Sequence, residues 1–267
     1  MVKIIFFQAH PDDLEAYCSQ LLHHLSIENK DKHIIRIASM TRGEFGLFRY
    51  KAEAFKGERL GRIRTHELFR AQKHYGIQRN QIDFFNIWDG SVKFSRSIIT
   101  RVIDYLNKHK PDVIFAPEAI WTFYTHQDHV NTGRILYYII DKNLIEKIPK
   151  LFYYTAILPN FKFPFNEQGI KFKEKVIACH VSQKALVDSL RVPMKLWFRV
   201  SARKYKKWEY AEPYRRVYFG KDSHLNTKPS LFVKFVSRMM FCMPLFEGNL
   251  KLYTIDEEKI RKQSAKK

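Results

Sequence analysis

The 267-residue chain is 45% hydrophobic and carries a formal net charge of +20. Such a length and apolar content support a sizeable core and exclude a disordered chain, while the charge attracts anions (nucleic acid, an anionic bilayer or acidic small molecules) without choosing among them. Cys18, Cys179 and Cys242 are far apart and form no CxxC pair, which argues against a disulfide framework and fits a reducing cytoplasm.

In chain order, "VKIIFF" (2–7) reads as a strand covered on both faces. No small-residue cleavage site follows it, so it is not read as a signal peptide. Residues 13–28 read as a helix, "HIIRIASM" (33–40) as a strand and 41–61 as a glycine-containing loop. A helix over 62–75, a strand "IDFFNI" (82–87), a helix over 95–109 and a strand "DVIFAP" (112–117) follow. A further helix begins near Asp128, "LFYYTAIL" (151–158) closes the regular part, and 171–190 reads as one more helix. Strands alternating with helices predict an α/β, Rossmann-like, mostly parallel sheet with helices on both faces. A basic, aromatic C-terminal extension follows, with the division placed at 1–220 and 221–267. Neither GxGxxG nor GxxxxGK[ST] follows the first strand, so a nucleotide site is unsupported. No uncharged run reaches the roughly 18 residues of a membrane-spanning helix.

Two segments carry chemistry: "AHPDD" (9–13) after the first strand and "THQDHV" (125–130) after "DVIFAP". Ligands of open parallel sheets bind beyond the carboxyl ends of the strands, so one rim would gather His10, Asp12, Asp13, His126, Asp128 and His129. Imidazole and carboxylate are ordinary zinc ligands, and three of them leave a fourth position open. A dication would also relieve the repulsion between Asp12 and Asp13. Taken singly, "PDD" is a helix start with acids at the positive dipole end, and "HQDH" a solvated helix start. Both on one rim favour a metal.

With these residues the chain resembles the PIG-L/LmbE-like family of zinc-dependent N-acetylglucosaminyl de-N-acetylases. "AHPDDLE" (9–15) and "HQDH" (126–129) match its two metal motifs. "TRGEFG" (41–46), "RTHE" (64–67), "DG" (89–90), "KPDVIFAP" (110–117), "HVSQ" (180–183) and "YAEPY" (210–214) follow the family in order. The resemblance implies that His10, Asp13 and His129 hold Zn2+ and that Asp12 is the general base toward the attacking water. It further implies that His126 stabilises the oxyanion or protonates the leaving amine, and that Asp128 orients a neighbouring imidazole. The implied reaction removes acetyl from an N-acetylglucosamine-type conjugate.

Arg64 is a candidate substrate contact through its fork of donors, or a helix-surface partner of Glu67. Arg42 and Glu44 bind sugar or brace their loop, and His180 supports the site or packs a helix. From Arg191 to Lys221, basic residues interleave with aromatic ones. That pattern suits nucleic acid, a membrane interface or a solvated face over packed rings, and the family likeness of "YAEPY" disfavours nucleic acid. "SLFVKFVSRMMFCMPLF" (230–246) leaves three alternatives: an interfacial amphipathic segment, a final packed helix, or a homo-oligomer contact. The expectation is a cytoplasmic enzyme, with peripheral contact at the inner membrane face left open. The rival is a non-catalytic binder of anionic glycan or lipid on the same fold.

Overall fold

The computed structural model describes residues 1–46, 54–122, 126–205, 207–219, 229–231, 234–235 and 246–247. Most of the extension 221–267, including most of 230–246, lies outside the described residues.

Strand β1 (Val2–Gln8) sends Ile4 and Phe6 into one core and Ile5 and Phe7 into another. A strand buried on both faces belongs inside a parallel sheet. It pairs parallel with β2 (His33–Ser39) on one side and β4 (Val113–Pro117) on the other. Parallel β3 (Ile82–Phe84) lies beyond β2, and parallel β6 (Lys150–Tyr154) beyond β4. Antiparallel β8 (Tyr210–Arg216) and β7 (Phe161–Phe165) complete the order β3-β2-β1-β4-β6-β8-β7. A separate two-residue ladder joins β5 (Trp121–Thr122) to β9 (Phe246–Glu247).

One face is covered by α1 (Asp13–Tyr17), α2 (Ser19–His23), α3 (Glu58–Lys73), α6 (Glu167–Ile177) and α7 (Lys184–Ser201). The other is covered by α4 (Arg96–His109) and α5 (Gln127–Asp141). The Rossmann-like α/β architecture is therefore present. Sequence order reverses at β1, with β2 on one side and β4 on the other, which opens a crevice at their carboxyl ends.

Several boundaries differ from the sequence reading. The helix over 13–28 is broken at Cys18 (φ −125°) and ends in a wider π turn over 24–28. The strand read over 82–87 stops at Phe84, because Asn86 takes a left-handed backbone (φ 50°). The strand read over 151–158 stops at Tyr154 for the same reason at Thr155 (φ 59°). The helix read over 171–190 is two helices. Glu67 holds the break by accepting from Ser182 N at 2.8 Å and Ser182 Oγ at 2.6 Å. In the basic, aromatic stretch, Trp197, Phe198, Tyr210 and Tyr214 are core residues. Half of its eight rings are thereby removed from any nucleic-acid or bilayer face.

Helix α5, which carries the second motif, lies against β4 at Gly133. A Cβ there would meet Pro117 O at 2.4 Å and Ala119 Cβ at 2.8 Å. Gly133→Ala is expected to push α5 outward and cost about 1–3 kcal/mol, read as a lower denaturation midpoint. An unchanged midpoint would show that this contact does not seat the helix.

Candidate active site

The turn after β1 closes on Asp13, whose Oδ2 accepts from Ala9 N at 2.9 Å and His10 N at 3.1 Å. Its Oδ1 lies 2.9 Å from His129 Nε2, and that nitrogen lies 3.4 Å from His10 Nδ1. Two imidazole nitrogens and a carboxylate oxygen thus crowd together. Behind His10, its Nε2 meets Asp89 Oδ1 at 2.9 Å and Asp128 Oδ2 at 3.3 Å. Asp128 is held in turn by Gly90 N at 2.7 Å and Val92 N at 3.0 Å. Carboxylates behind an imidazole fix its orientation and raise its basicity toward a metal.

His126 caps α5, its Nδ1 accepting from Asp128 N at 3.4 Å, and its side chain remains 46% exposed. One donor atom from each of His10, His126 and His129 lies within 4.8 Å of the others, and the same holds for His10, Asp89, His126 and Asp128. Nitrogen and oxygen donors at this density fit a divalent metal ion.

The two adjacent aspartates differ in character. Burial pushes Asp13 up, but His129 and His10 more than offset it and hold the carboxyl at about 2. Burial pushes Asp12 above the usual carboxylate range, Arg64 opposing and Asp13 reinforcing the rise. One carboxylate is fixed as an anion while its neighbour is more ready to take a proton. Burial disfavours charge on His10, yet hydrogen bonds to Asp128 and Asp89, with the charges of Asp89 and Asp13, raise it to about 10. His126 is pushed down, by burial and then by the charge of His10.

Arg64 comes from α3 and is almost fully buried. Its Nη2 donates to Asp12 Oδ1 at 3.0 Å and its Nη1 to Gly43 O at 3.1 Å. Gly43 has φ +70°, and a Cβ there would sit 2.2 Å from Arg64 Nη1. Only glycine permits that approach. Arg42 pairs with Glu58 at 2.5 Å and with Glu44 at 3.2 Å, while buried Glu44 accepts from Asp89 N at 3.2 Å. These two brace the loop, and neither is among the described residues lining the cavity. His180 is buried with its Nε2 3.3 Å from Glu15 Oε2.

The cluster opens into a cavity of about 870 Å³ lined by His10, Asp12, Asp13, Arg64, His126 and His129, and by α6 and α7. Segments that follow β1, β2, β3 and β4 have thus brought together the six motif residues, Arg64 and Asp89. In the family likeness Asp89 figures only within "DG", with no role attached to it. Its signal was its place: an acid beyond the third parallel strand, on the same rim.

Among solved structures, the chain is similar to N,N'-diacetylchitobiose deacetylase from Pyrococcus horikoshii (TM-score 0.70, 21% identity, 80% of this chain and 83% of that one). It is also similar to the conserved protein TT1542 from Thermus thermophilus (TM-score 0.65, 21% identity, 87% and 99%). A third is GalB, the 4-carboxy-2-hydroxymuconate hydratase from Pseudomonas putida (TM-score 0.62, 17% identity, 86% and 100%). At such identities the likeness shows the fold alone. No curated protein matches the sequence. The model of the GlcNAc-PI de-N-acetylase family, PIG-L, matches residues 5–140, half of the chain and both histidine–aspartate motifs. The chain belongs to the PIG-L family.

Proposed function

We propose that the protein is a zinc-dependent hydrolase that removes the N-acetyl group from an N-acetylglucosamine-type amino sugar conjugate. The observation that carries this reading is the division of labour between adjacent acids. Asp13 is tied to His129, whereas Asp12 stands beside the cluster on the cavity wall with a raised proton affinity. A binding protein would not need a second carboxylate of that kind. Family membership and the resemblance to a protein named a diacetylchitobiose deacetylase support the substrate class.

In this reading His10, Asp13 and His129 hold the ion. Bound there, zinc would supply Lewis acidity toward the amide carbonyl and the attacking water. Asp12 accepts the proton that water gives up as its oxygen bonds to the carbonyl carbon. Because His126 Nδ1 accepts from a backbone amide, the neutral ring carries its proton on Nε2. That N–H stabilises the developing oxyanion. As the C–N bond breaks, protonated Asp12 returns that proton to the leaving nitrogen, giving the free amine and acetic acid, which ionises to acetate.

Metal analysis and acetate release from a panel of N-acetylglucosaminides test the reading. About one zinc per chain and chelator-sensitive release, restored by zinc, are expected. Metal-replete protein that releases no acetate from any of them would sink it.

A further inference from the structure

Helix α7 has two faces of opposite character. Its inner face packs Met194, Trp197 and Phe198 into the core. On the outer face Val192, Leu196, Arg199 and Arg203 follow at helical spacing, the last just past the helix end. Val192 is 66% exposed and Leu196 49%, and neither lines the cavity. The turn that follows adds exposed Lys204, Tyr205, Lys207 and Trp208. It closes directly on the helix end, Tyr205 N donating to Ala202 O at 2.7 Å. The edge strand β7 adjoins this end through Lys162, whose Nζ donates to Ser201 O at 2.8 Å.

The acids of this region are already engaged. Glu174 pairs with Arg191 and Glu167 with Lys195, both at 2.8 Å, and Glu209 accepts from Glu167 N at 3.0 Å. Among the described residues no carboxylate pairs with Arg199, Arg203, Lys204 or Lys207. Lys162 feels the crowding, its ammonium pushed down by burial and then by the charge of Lys204. A helix dipole favours cations at its carboxyl end, which accounts for Arg199 and Arg203 but not for the aliphatic groups beside them.

Nucleic acid would match the charge and stack on Tyr205 and Trp208, yet neither phosphate nor base rewards Val192 and Leu196. An anionic bilayer rewards all three kinds of group. Cations meet its headgroups, Trp and Tyr lie at headgroup level, and aliphatic side chains reach the acyl boundary. No helix among the described residues is long and apolar enough to cross a bilayer, so the contact is with its surface. The described strand of the C-terminal extension lies elsewhere: Phe246–Glu247 pairs with β5, whose Trp121 belongs to the core on the other face of the sheet.

We propose that the outer face of α7 and the turn after it dock on the surface of an anionic bilayer, with Val192 and Leu196 entering the interface. This surface is separate from the histidine–aspartate cluster and does not depend on the deacetylase reading.

Sedimentation of the full chain with vesicles tests the proposal. It should bind phosphatidylcholine mixed two to one with phosphatidylglycerol, bind phosphatidylcholine alone at least about tenfold more weakly, and lose affinity as salt rises. Leu196→Glu should weaken binding to the mixed vesicles by about tenfold or more, the ordinary worth of an aliphatic side chain in hydrocarbon. Arg203→Gln and Lys204→Gln should each cost roughly fivefold, the worth of one cation at an anionic surface. Lys108→Gln and Lys142→Gln, exposed cations on the helices of the opposite face, should change binding little. Mixed vesicles should also shift tryptophan emission to the blue, and Trp208→Phe should remove most of that shift. All of these side chains are exposed, so each variant should melt with the parent. Equal losses at Lys108 and Lys142 would reduce the effect to net charge and overturn the proposal, as would parental binding by Leu196→Glu. Binding of an RNA homopolymer in place of vesicles, weakened by Arg203→Gln and Lys204→Gln, would overturn it in favour of nucleic acid. A dimer in solution that Leu196→Glu dissociates, with no vesicle binding by the parent, would overturn it in favour of a second copy.

Discussion

Asp12→Asn is expected to retain the metal and lower kcat for acetate release by about a hundredfold to ten-thousandfold, the usual worth of a positioned general base. Asparagine keeps an oxygen to accept from Arg64 Nη2, as Asp12 Oδ1 does at 3.0 Å. It leaves the Asp13–His129–His10 contacts untouched. What it removes is the capacity to take a proton. The parent enzyme should lose kcat/KM as pH falls through the pKa of Asp12, because only the carboxylate form acts as a base. Burial moves that pKa above the usual carboxylate range and Arg64 restrains the rise. Arg64→Gln should therefore shift the acid limb to higher pH relative to the parent. Asp12→Asn turning over at the parental rate would end the assignment of the base. An acid limb unmoved in Arg64→Gln would show that this guanidinium does not tune it.

The second large effect concerns the metal. His129→Ala should lower metal affinity by more than a hundredfold, since even partners behind the ligands are worth roughly 10–100-fold. Activity should fall with the metal content. His129 Nε2 is the nitrogen that faces both Asp13 and His10, so its removal opens the donor set at the centre. The buried Asp13 carboxylate also loses its neighbour, and the metal-free variant should melt below the metal-free parent. His129→Gln, which retains a polar group there, separates loss of metal from loss of fold. Full metal content in either variant, measured by elemental analysis after dialysis, would remove His129 from the ligand set.

The central sheet was legible because its code is local. Apolar side chains on both faces of "VKIIFF" and "DVIFAP" can be satisfied only between other layers, and turn and helix patterns separate them. The edge was not legible. "FKFPF" (161–165) and "YAEPYRR" (210–216) each contain a proline, and the second contains an acid and two arginines, so neither reads as a strand. Their charges are satisfied far along the chain. Glu212 accepts from Gln20 N at 2.9 Å and Leu21 N at 3.0 Å, in the first turn of α2, and Arg215 pairs with buried Glu118. A polar group counts as core material only when its distant partner is known.

The sequence by itself determined the parallel α/β layout and marked out six histidine and aspartate residues that the fold gathers on one rim, since strand periodicity and motif chemistry are written in neighbouring residues. Only the tertiary structure decided which carboxylate is tied down and which stays proton-avid. It likewise decided that Arg64 joins the site while Arg42 and Glu44 brace a loop, and that Asp89 stands behind His10. The physical reason is that proton affinity and hydrogen-bond satisfaction depend on burial and on partners dozens of residues away, and the fold alone supplies both.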